Sequence, residues 1–259
     1  MTINGTKVGR DLLAPGWSKY DKTCLYDTHE VTSLLREGDN AIGLLLGNGM
    51  YNVRGGRYIK FKGSFGPLKA ICHLRLDYVN GTTQIVGTDA RWRTHAGPIT
   101  FSCVYGGEDY GARLEPAGWD ERGFDDSAWA PAQEVDGPGG ALKGLSWAAA
   151  PIRAFEVFQP VSVKQLKPGV AVYDLGQNAS IMPRMKMTGP AGSVVRIMPA
   201  ELMQDGGSVD RRSVGGGEAY WQYTLAGEGT EVRFPKFFYQ GCRYLQVECV
   251  PASEGGERP

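Results

Sequence analysis

Three acidic pairs carry side chains able to do chemistry: Glu108 with Asp109, Asp120 with Glu121, and Asp125 with Asp126. Hydrolysing a glycosidic bond with inversion needs two carboxyl groups about 6.5 to 9.5 Å apart, one kept protonated by its surroundings. Adjacent acids in turns more often cap backbone groups or face water, and the second and third pairs are read that way. Glu108 and Asp109 keep different company, between Tyr105, Gly106, Gly107 and Tyr110. Aromatic planes offer apolar faces to a sugar ring while carboxylates accept its hydroxyl protons, so Tyr105, Glu108 and Asp109 are candidate ligand-binding residues. Residues 47–57, Gly-Asn-Gly-Met-Tyr-Asn-Val-Arg-Gly-Gly-Arg, form the most loop-like stretch with several hydrogen-bonding groups. They add Asn48, Tyr51 and Asn52 to the candidates.

Other chemistries find little footing. The histidines, His29, His73 and His95, are scattered, and Gly63-Ser-Phe-Gly66 lacks the strand-to-helix elbow that exposes a serine nucleophile. The glycine clusters at 55–56 and 215–217 have no strand and helix around them to cradle a phosphate. Asp174, Gln177 and Asn178 follow the strand-like Val170-Ala-Val-Tyr173 and read as an Asx-type turn. Five cysteines, Cys24, Cys72, Cys103, Cys242 and Cys249, show no metal-ligand spacing and are expected as free, buried thiols.

Strands must position these residues. Lys69 to Val79 alternates apolar and polar residues up to Asn80-Gly81, a hairpin signal, and 82–87 returns. Further alternating runs follow at Ser193–Met198, Tyr220–Leu225 and Tyr244–Val250, with turns at Gly189-Pro-Ala-Gly192 and Gly227-Glu-Gly229. One short helix is expected, about two turns over Glu30–Glu37 ended by Gly38. The breaker-rich 135–141 and the Ala148-Ala-Ala-Pro151 connection divide the chain near residue 150. The expected fold is all-β, two jelly-roll-like β-sandwich domains in tandem, residues 1–150 and 151–259.

Composition agrees. The 37 glycines of 259 residues lie without a three-residue period, which means many turns and short strands. Lysine plus arginine balances aspartate plus glutamate at 28 each, and the arginines are dispersed, so neither nucleic acid nor a membrane surface is an expected partner. No basic n-region with an apolar h-region opens the chain, and no apolar run reaches a membrane span, so the expected location is cytoplasmic for the chain as written and open if residues precede Met1.

In order, Ile3–Gly9, Ala14-Pro-Gly-Trp17, Leu25–Thr32, Glu37–Gly43, Leu46-Gly-Asn-Gly49 with Tyr51, Tyr105–Arg113, Trp119 and Phe124–Trp129 resemble the N-terminal domain of bacterial α-L-rhamnosidases. Tyr173–Asn178, Gly189–Gly192, Ala200–Leu202, Tyr223–Leu225 and Phe237–Tyr244 resemble the β-sandwich that precedes the catalytic barrel in the same family. The resemblance implies further strands ahead of Ile3, so the first domain is expected either to lack its first strands or to have a fold adjusted to their loss. It also implies an (α/α)6 barrel after residue 251, and that barrel carries the family's acid and base, so no catalytic residue is expected here. Some N-terminal domains of the family bind rhamnose beside a calcium ion, so calcium is a conceivable ligand of Asn48, Asn52 and Glu108. Against this, no EF-hand spacing is present, and Met50 replaces the family's usual tryptophan.

The resulting expectation is a non-catalytic accessory or carbohydrate-binding module acting on rhamnose-containing oligosaccharides or polysaccharides, with a catalytic domain or a second copy as further partners. The alternative is a stand-alone hydrolase with its site between the two sandwiches.

Overall fold

The computed structural model describes residues 1–53, 55–57, 62–144, 150–215 and 217–252. Arg54, Gly216, the connection at Ala148 and Ala149, and the tail 253–259 lie outside the described residues. The fold is all-β, as expected. Among the described residues the only helical turns are 3-10 turns at Thr32–Leu34, Ala112–Leu114 and Arg211–Val214, and no helix is long and apolar enough to cross a membrane.

The helix expected over Glu30–Glu37 is therefore one turn. Leu35 turns extended at φ −85° and ψ 151°, and the Asn40 side chain takes over the backbone of Arg36, accepting from its N–H at 2.9 Å and donating to its carbonyl at 2.8 Å. Asn4 Nδ2 donates to the Leu34 carbonyl at 2.9 Å. These side-chain bonds satisfy the groups that further helical turns would have used. The Asn80-Gly81 hairpin forms as read: His73–Asp77 pairs with Thr83–Gly87, Gly81 sits at φ 83°, and Asn80 Oδ1 accepts from Thr82 N–H at 3.0 Å. All five cysteines are free thiols, but only Cys103 and Cys242 are buried, and Cys249 is exposed next to the end of the last strand.

The dominant element is a seven-stranded sheet. Its strands are β1 (Ile99–Cys103), β2 (Gly107–Gly111), β3 (Ser162–Lys167), β4 (Val170–Ile181), β5 (Val194–Ala200), β6 (Tyr220–Thr224) and β7 (Gln240–Val250). Their order in the sheet is β1-β2-β6-β5-β7-β4-β3, antiparallel except at the β2–β6 step, which is parallel. β4 runs straight through the expected polar turn. Its pairing with β7 lapses between Asp174 and Ala179, where Asp174 Oδ1 caps Gly176 N–H at 2.7 Å and holds Arg243 across the strands.

Alternation along the strands sorts one face into the core. Tyr110, Val195, Ile197, Trp221, Tyr223 and Leu245 point to the same side and pack with Met185, Met187 and Phe238. The two methionines come from Met185–Thr188, which pairs with Thr230–Arg233. Trp221 fills the centre, with its Nε1 donating to the Phe238 carbonyl at 3.1 Å and the two rings 4.8 Å apart. The first half of the chain otherwise forms small two- and three-stranded sheets, among them Thr2–Ile3 between Thr6–Lys7 and Ile42–Gly43, and Asn52–Val53 against Gly63–Ser64.

Because β1 and β2 belong to the first half and β3 to β7 to the second, the sheet itself fastens the halves. Two features secure that seam. Gly107 lies so close to β6 that a Cβ would sit 1.8 Å from the Tyr220 carbonyl oxygen, and its φ is 121°. One residue on, Glu108 is 2% exposed; its Oε1 accepts from Arg233 at 3.0 Å and its Oε2 from the backbone N–H groups of Lys236 and Phe237 at 2.8 Å each. The Arg233 guanidinium lies 3.7 Å over the Tyr110 ring, which stacks on Tyr223.

Removing one member of a buried, hydrogen-bonded ion pair strands the other, so Glu108→Gln is expected to lower unfolding free energy by about 3 to 5 kcal/mol. Gly107→Ala is expected to cost about 2 to 4 kcal/mol by clash and backbone strain. Gly137→Ala, whose Cβ meets nothing within 4 Å, is the control and is expected to change stability by less than about 0.5 kcal/mol. Urea denaturation of the three variants checks the order.

Candidate functional site

The six residues expected to bind a ligand do not converge. Strand alternation sends Glu108 and Asp109 to opposite faces of β2. Glu108 enters the seam, while Asp109 Oδ2 pairs with the Arg57 guanidinium, which is held between the Phe101 ring at 4.2 Å and the Tyr220 ring at 3.5 Å. Burial, only partly offset by Arg57, keeps the Asp109 carboxyl above its ordinary range. The two acids thus have separate arginine partners and no shared space in which a substrate would meet both. Asp125 Oδ1 caps Ser127 N–H at 3.0 Å, which is the turn role read from the sequence.

The asparagines knit the 47–53 loop to β1. Asn48 N–H donates to Ser102 Oγ at 2.9 Å, Asn48 Nδ2 to the Ser102 carbonyl at 2.8 Å, and Asn52 Nδ2 to Asn48 Oδ1 at 3.1 Å. Ser102 stands opposite Glu108 in the β1–β2 register, so this loop is anchored directly on the seam. Gly47 is pressed against the Phe237 ring, with room for no Cβ. Tyr105 lies in the turn between β1 and β2 and is exposed.

Calcium requires six to eight oxygens around one point. Here both Glu108 oxygens are committed to Arg233, Lys236 and Phe237, and Asn48 Oδ1 accepts from Asn52. Among the described residues no three His, Cys, Asp or Glu side chains are grouped as a metal site. The set Asn48, Asn52 and Glu108 does not fit a calcium ion.

Tyr51 leads to a different place. Its hydroxyl donates to the Phe65 carbonyl at 2.9 Å, and its ring makes an edge contact with Tyr20 at 5.1 Å; Tyr20 in turn meets Phe65 at 5.2 Å. Burial lifts the Tyr20 and Tyr51 hydroxyls above their ordinary range, so both stay neutral O–H groups. Beside this cluster opens a mostly apolar cleft lined by Trp17, Ser18, Lys19, Met50 and Phe65. Trp17 is 67% exposed, a large aromatic surface held against solvent. An exposed indole beside a few polar groups can take the apolar face of a sugar ring and hydrogen-bond its hydroxyls. Sequence reasoning does not single out Trp17 or Phe65 as binding residues. The available signal was an aromatic set beside turn formers, Pro15-Gly16-Trp17 and Phe65-Gly66, where no strand alternation exists to bury it.

The relatives of the chain share this architecture. Residues 1–156 match the α-L-rhamnosidase N-terminal domain, and residues 164–257 match the bacterial α-L-rhamnosidase concanavalin-like domain. An α-L-rhamnosidase of Streptomyces avermitilis is 35% identical over 257 residues, covering 96% of this chain and 24% of that protein. The structure of α-L-rhamnosidase from Dictyoglumus thermophilum superposes with a TM-score of 0.87 at 34% identity, over 96% of this chain and 27% of that one. The Streptomyces avermitilis α-L-rhamnosidase complexed with L-rhamnose gives 0.85 at 33% identity, over 99% and 24%. The chain spans about a quarter of the length of the curated relatives it matches. Matched by one domain family over more than half its length and by a second over most of the remainder, the chain belongs to the bacterial α-L-rhamnosidase family through that family's N-terminal and concanavalin-like domains.

Proposed function

We propose that this chain is a non-catalytic, carbohydrate-recognising β platform of an α-L-rhamnosidase-type protein that acts on rhamnose-containing glycans. The observation that carries the reading is the Trp17–Met50–Phe65 cleft: apolar, aromatic, open to solvent, and set beside a loop pinned to the main sheet. A relative with the same fold has been solved with L-rhamnose bound, and a deoxy sugar with a methyl group suits an aromatic and methionine lining better than a strongly polar one. Trp17 supplies the stacking plane, Met50 and Phe65 the apolar walls, and Ser18 and Lys19 the hydrogen bonds to ring hydroxyls. Asn48, Tyr51 and Asn52 act as the frame that holds Met50 and Phe65 in place.

In this reading residues 1–150 form a sugar-contacting domain and residues 151–259 a supporting one, with the β1–β2 hairpin of the first clasped into the sheet of the second. Glu108 and Asp109 serve the seam and the sheet face. Their engagement with Arg233 and Arg57 speaks against an acid–base pair between the sandwiches.

Isothermal titration of the purified chain with L-rhamnose is expected to give millimolar affinity, and Trp17→Ala to weaken it by about tenfold, the loss of roughly 1.4 kcal/mol. Circular dichroism should be unchanged, because Trp17 is largely outside the core. Absence of heat at saturating rhamnose, or equal binding by Trp17→Ala, would count against the cleft. Turnover of an aryl rhamnoside that survives repurification would count against the non-catalytic role.

A further inference from the structure

Three asparagines stand directly before a glycine: Asn4-Gly5, Asn48-Gly49 and Asn80-Gly81. Glycine has no Cβ, so its backbone nitrogen can approach the carbonyl carbon of the preceding asparagine side chain without steric hindrance. Whether that nitrogen attacks depends on what holds the side-chain amide, and the fold treats the three pairs differently.

Asn4 and Asn48 are fastened at both ends of the side chain. Asn4 Nδ2 donates to the Leu34 carbonyl at 2.9 Å and to Asn40 Oδ1 at 2.8 Å, and its Oδ1 accepts from Ala41 N–H at 3.0 Å. The Gly5 N–H behind it donates to the Asp120 carbonyl at 2.9 Å. Asn48 Nδ2 donates to the Ser102 carbonyl at 2.8 Å, its Oδ1 accepts from Asn52 at 3.1 Å, and its N–H is held by Ser102 Oγ at 2.9 Å. Both asparagines are partly buried. Their amide nitrogens cannot leave until distant segments of the chain part.

Asn80 is held at one end only. It stands at the exposed tip of the hairpin formed by His73–Asp77 and Thr83–Gly87. Its Oδ1 accepts from Thr82 N–H at 3.0 Å and from Thr82 Oγ1 at 2.7 Å. Among the described residues no acceptor takes its Nδ2, and a Cβ on Gly81 would meet nothing within 4 Å. The two Thr82 donors converge on the oxygen that gains negative charge when a nucleophile adds to Cγ, the arrangement that lowers barriers in acyl transfer. The Gly81 nitrogen is restrained by one bond, its N–H to the Tyr78 carbonyl at 2.9 Å, at the solvent end of a two-stranded hairpin where local opening is easiest.

We infer that Asn80 is a site of spontaneous covalent modification: deamidation through a succinimide, with water as the reactant and Thr82 as the assisting group. Gly81 N–H gives its proton to hydroxide, and the electron pair on that nitrogen forms a bond to Asn80 Cγ. The Cγ–Nδ2 bond breaks, and the amide departs as ammonia with a proton drawn from water. A second water opens the ring at either carbonyl, leaving aspartate or isoaspartate. Nothing is oxidised or reduced. The product places a new carboxylate in the same turn as Asp77, which already accepts from Thr83 Oγ1 and Arg75. Isoaspartate also routes the main chain through the former side chain, so the cap on Thr82 is lost and the Asp77–Thr83 pairing beside it is released. This chemistry is independent of the Trp17 cleft.

The test is incubation of the full chain in mildly alkaline buffer, followed by proteolysis and mass spectrometry with chromatographic separation of aspartyl and isoaspartyl peptides. In the native chain the Asn80 peptide is expected to deamidate at least about tenfold faster than the Asn4 and Asn48 peptides. In concentrated urea, where only the shared Asn-Gly sequence acts, the three rates are expected to agree within a few-fold. Thr82→Val keeps the N–H and the branched shape but removes the hydroxyl. It is expected to slow Asn80 by a few-fold in the native chain and to leave its rate in urea unchanged. The inference is overturned if Asn4 or Asn48 reacts as fast as Asn80 in the native chain, if Asn80 stays intact there while it reacts in urea, or if native Thr82→Val reacts as fast as its parent. Should Thr82→Val fail to fold, the contrast between native and urea rates in the parent chain decides.

Discussion

The arrangement depends on one buried carboxylate. Glu108 is out of water and accepts three hydrogen bonds, one from a guanidinium and two from consecutive backbone N–H groups, contributed by residues 125 to 129 positions further along the chain. An isolated carboxylate in that position would be prohibitively costly, whereas a fully paired one fixes geometry that apolar packing leaves free. With Gly107 closed on the Tyr220 carbonyl and Ser102 opposite Glu108, the register of β1 and β2 against the second half has no room to slip.

That constraint propagates outward to the surfaces. Asn48 is bonded to Ser102, so the loop bearing Met50 and Tyr51 inherits its position from the seam, and Tyr51 passes it on to Phe65 and Tyr20. On the opposite face, the alternation that sends Glu108 into the seam turns Asp109 the other way, where it pairs with Arg57 and is largely covered. One strand of five residues, Gly107–Gly111, therefore serves the seam with one side and the Arg57 pair with the other.

Family membership was legible because the motifs are local, consecutive devices. Asn80-Gly81 and Gly189–Gly192 are turns written in residues that touch each other, and each appears where the sequence put it, whereas the bond from Gly176 N–H to Asp174 forms inside a strand that continues through the expected turn. The Glu30–Glu37 segment misled because its helical pattern met two competitors, one distant and one near: Asn4, 30 residues from Leu34, takes that carbonyl, and Asn40, four residues on, takes the backbone of Arg36. Grouping Glu108 with Asp109 as neighbours in one ligand site overlooked that adjacent residues of a strand face opposite ways.

The sequence by itself determined the all-β class, the turns, the strand alternation and the kinship with rhamnosidases, since all of these are carried by residues close together in the chain. Only the tertiary structure decided that β1 and β2 join the second half's sheet, that Glu108 belongs to a seam, and that Trp17 borders a cleft with Met50 and Phe65. Each of those facts is a pairing across tens to more than a hundred residues, fixed by strand register and burial, and neither quantity exists until distant segments have met.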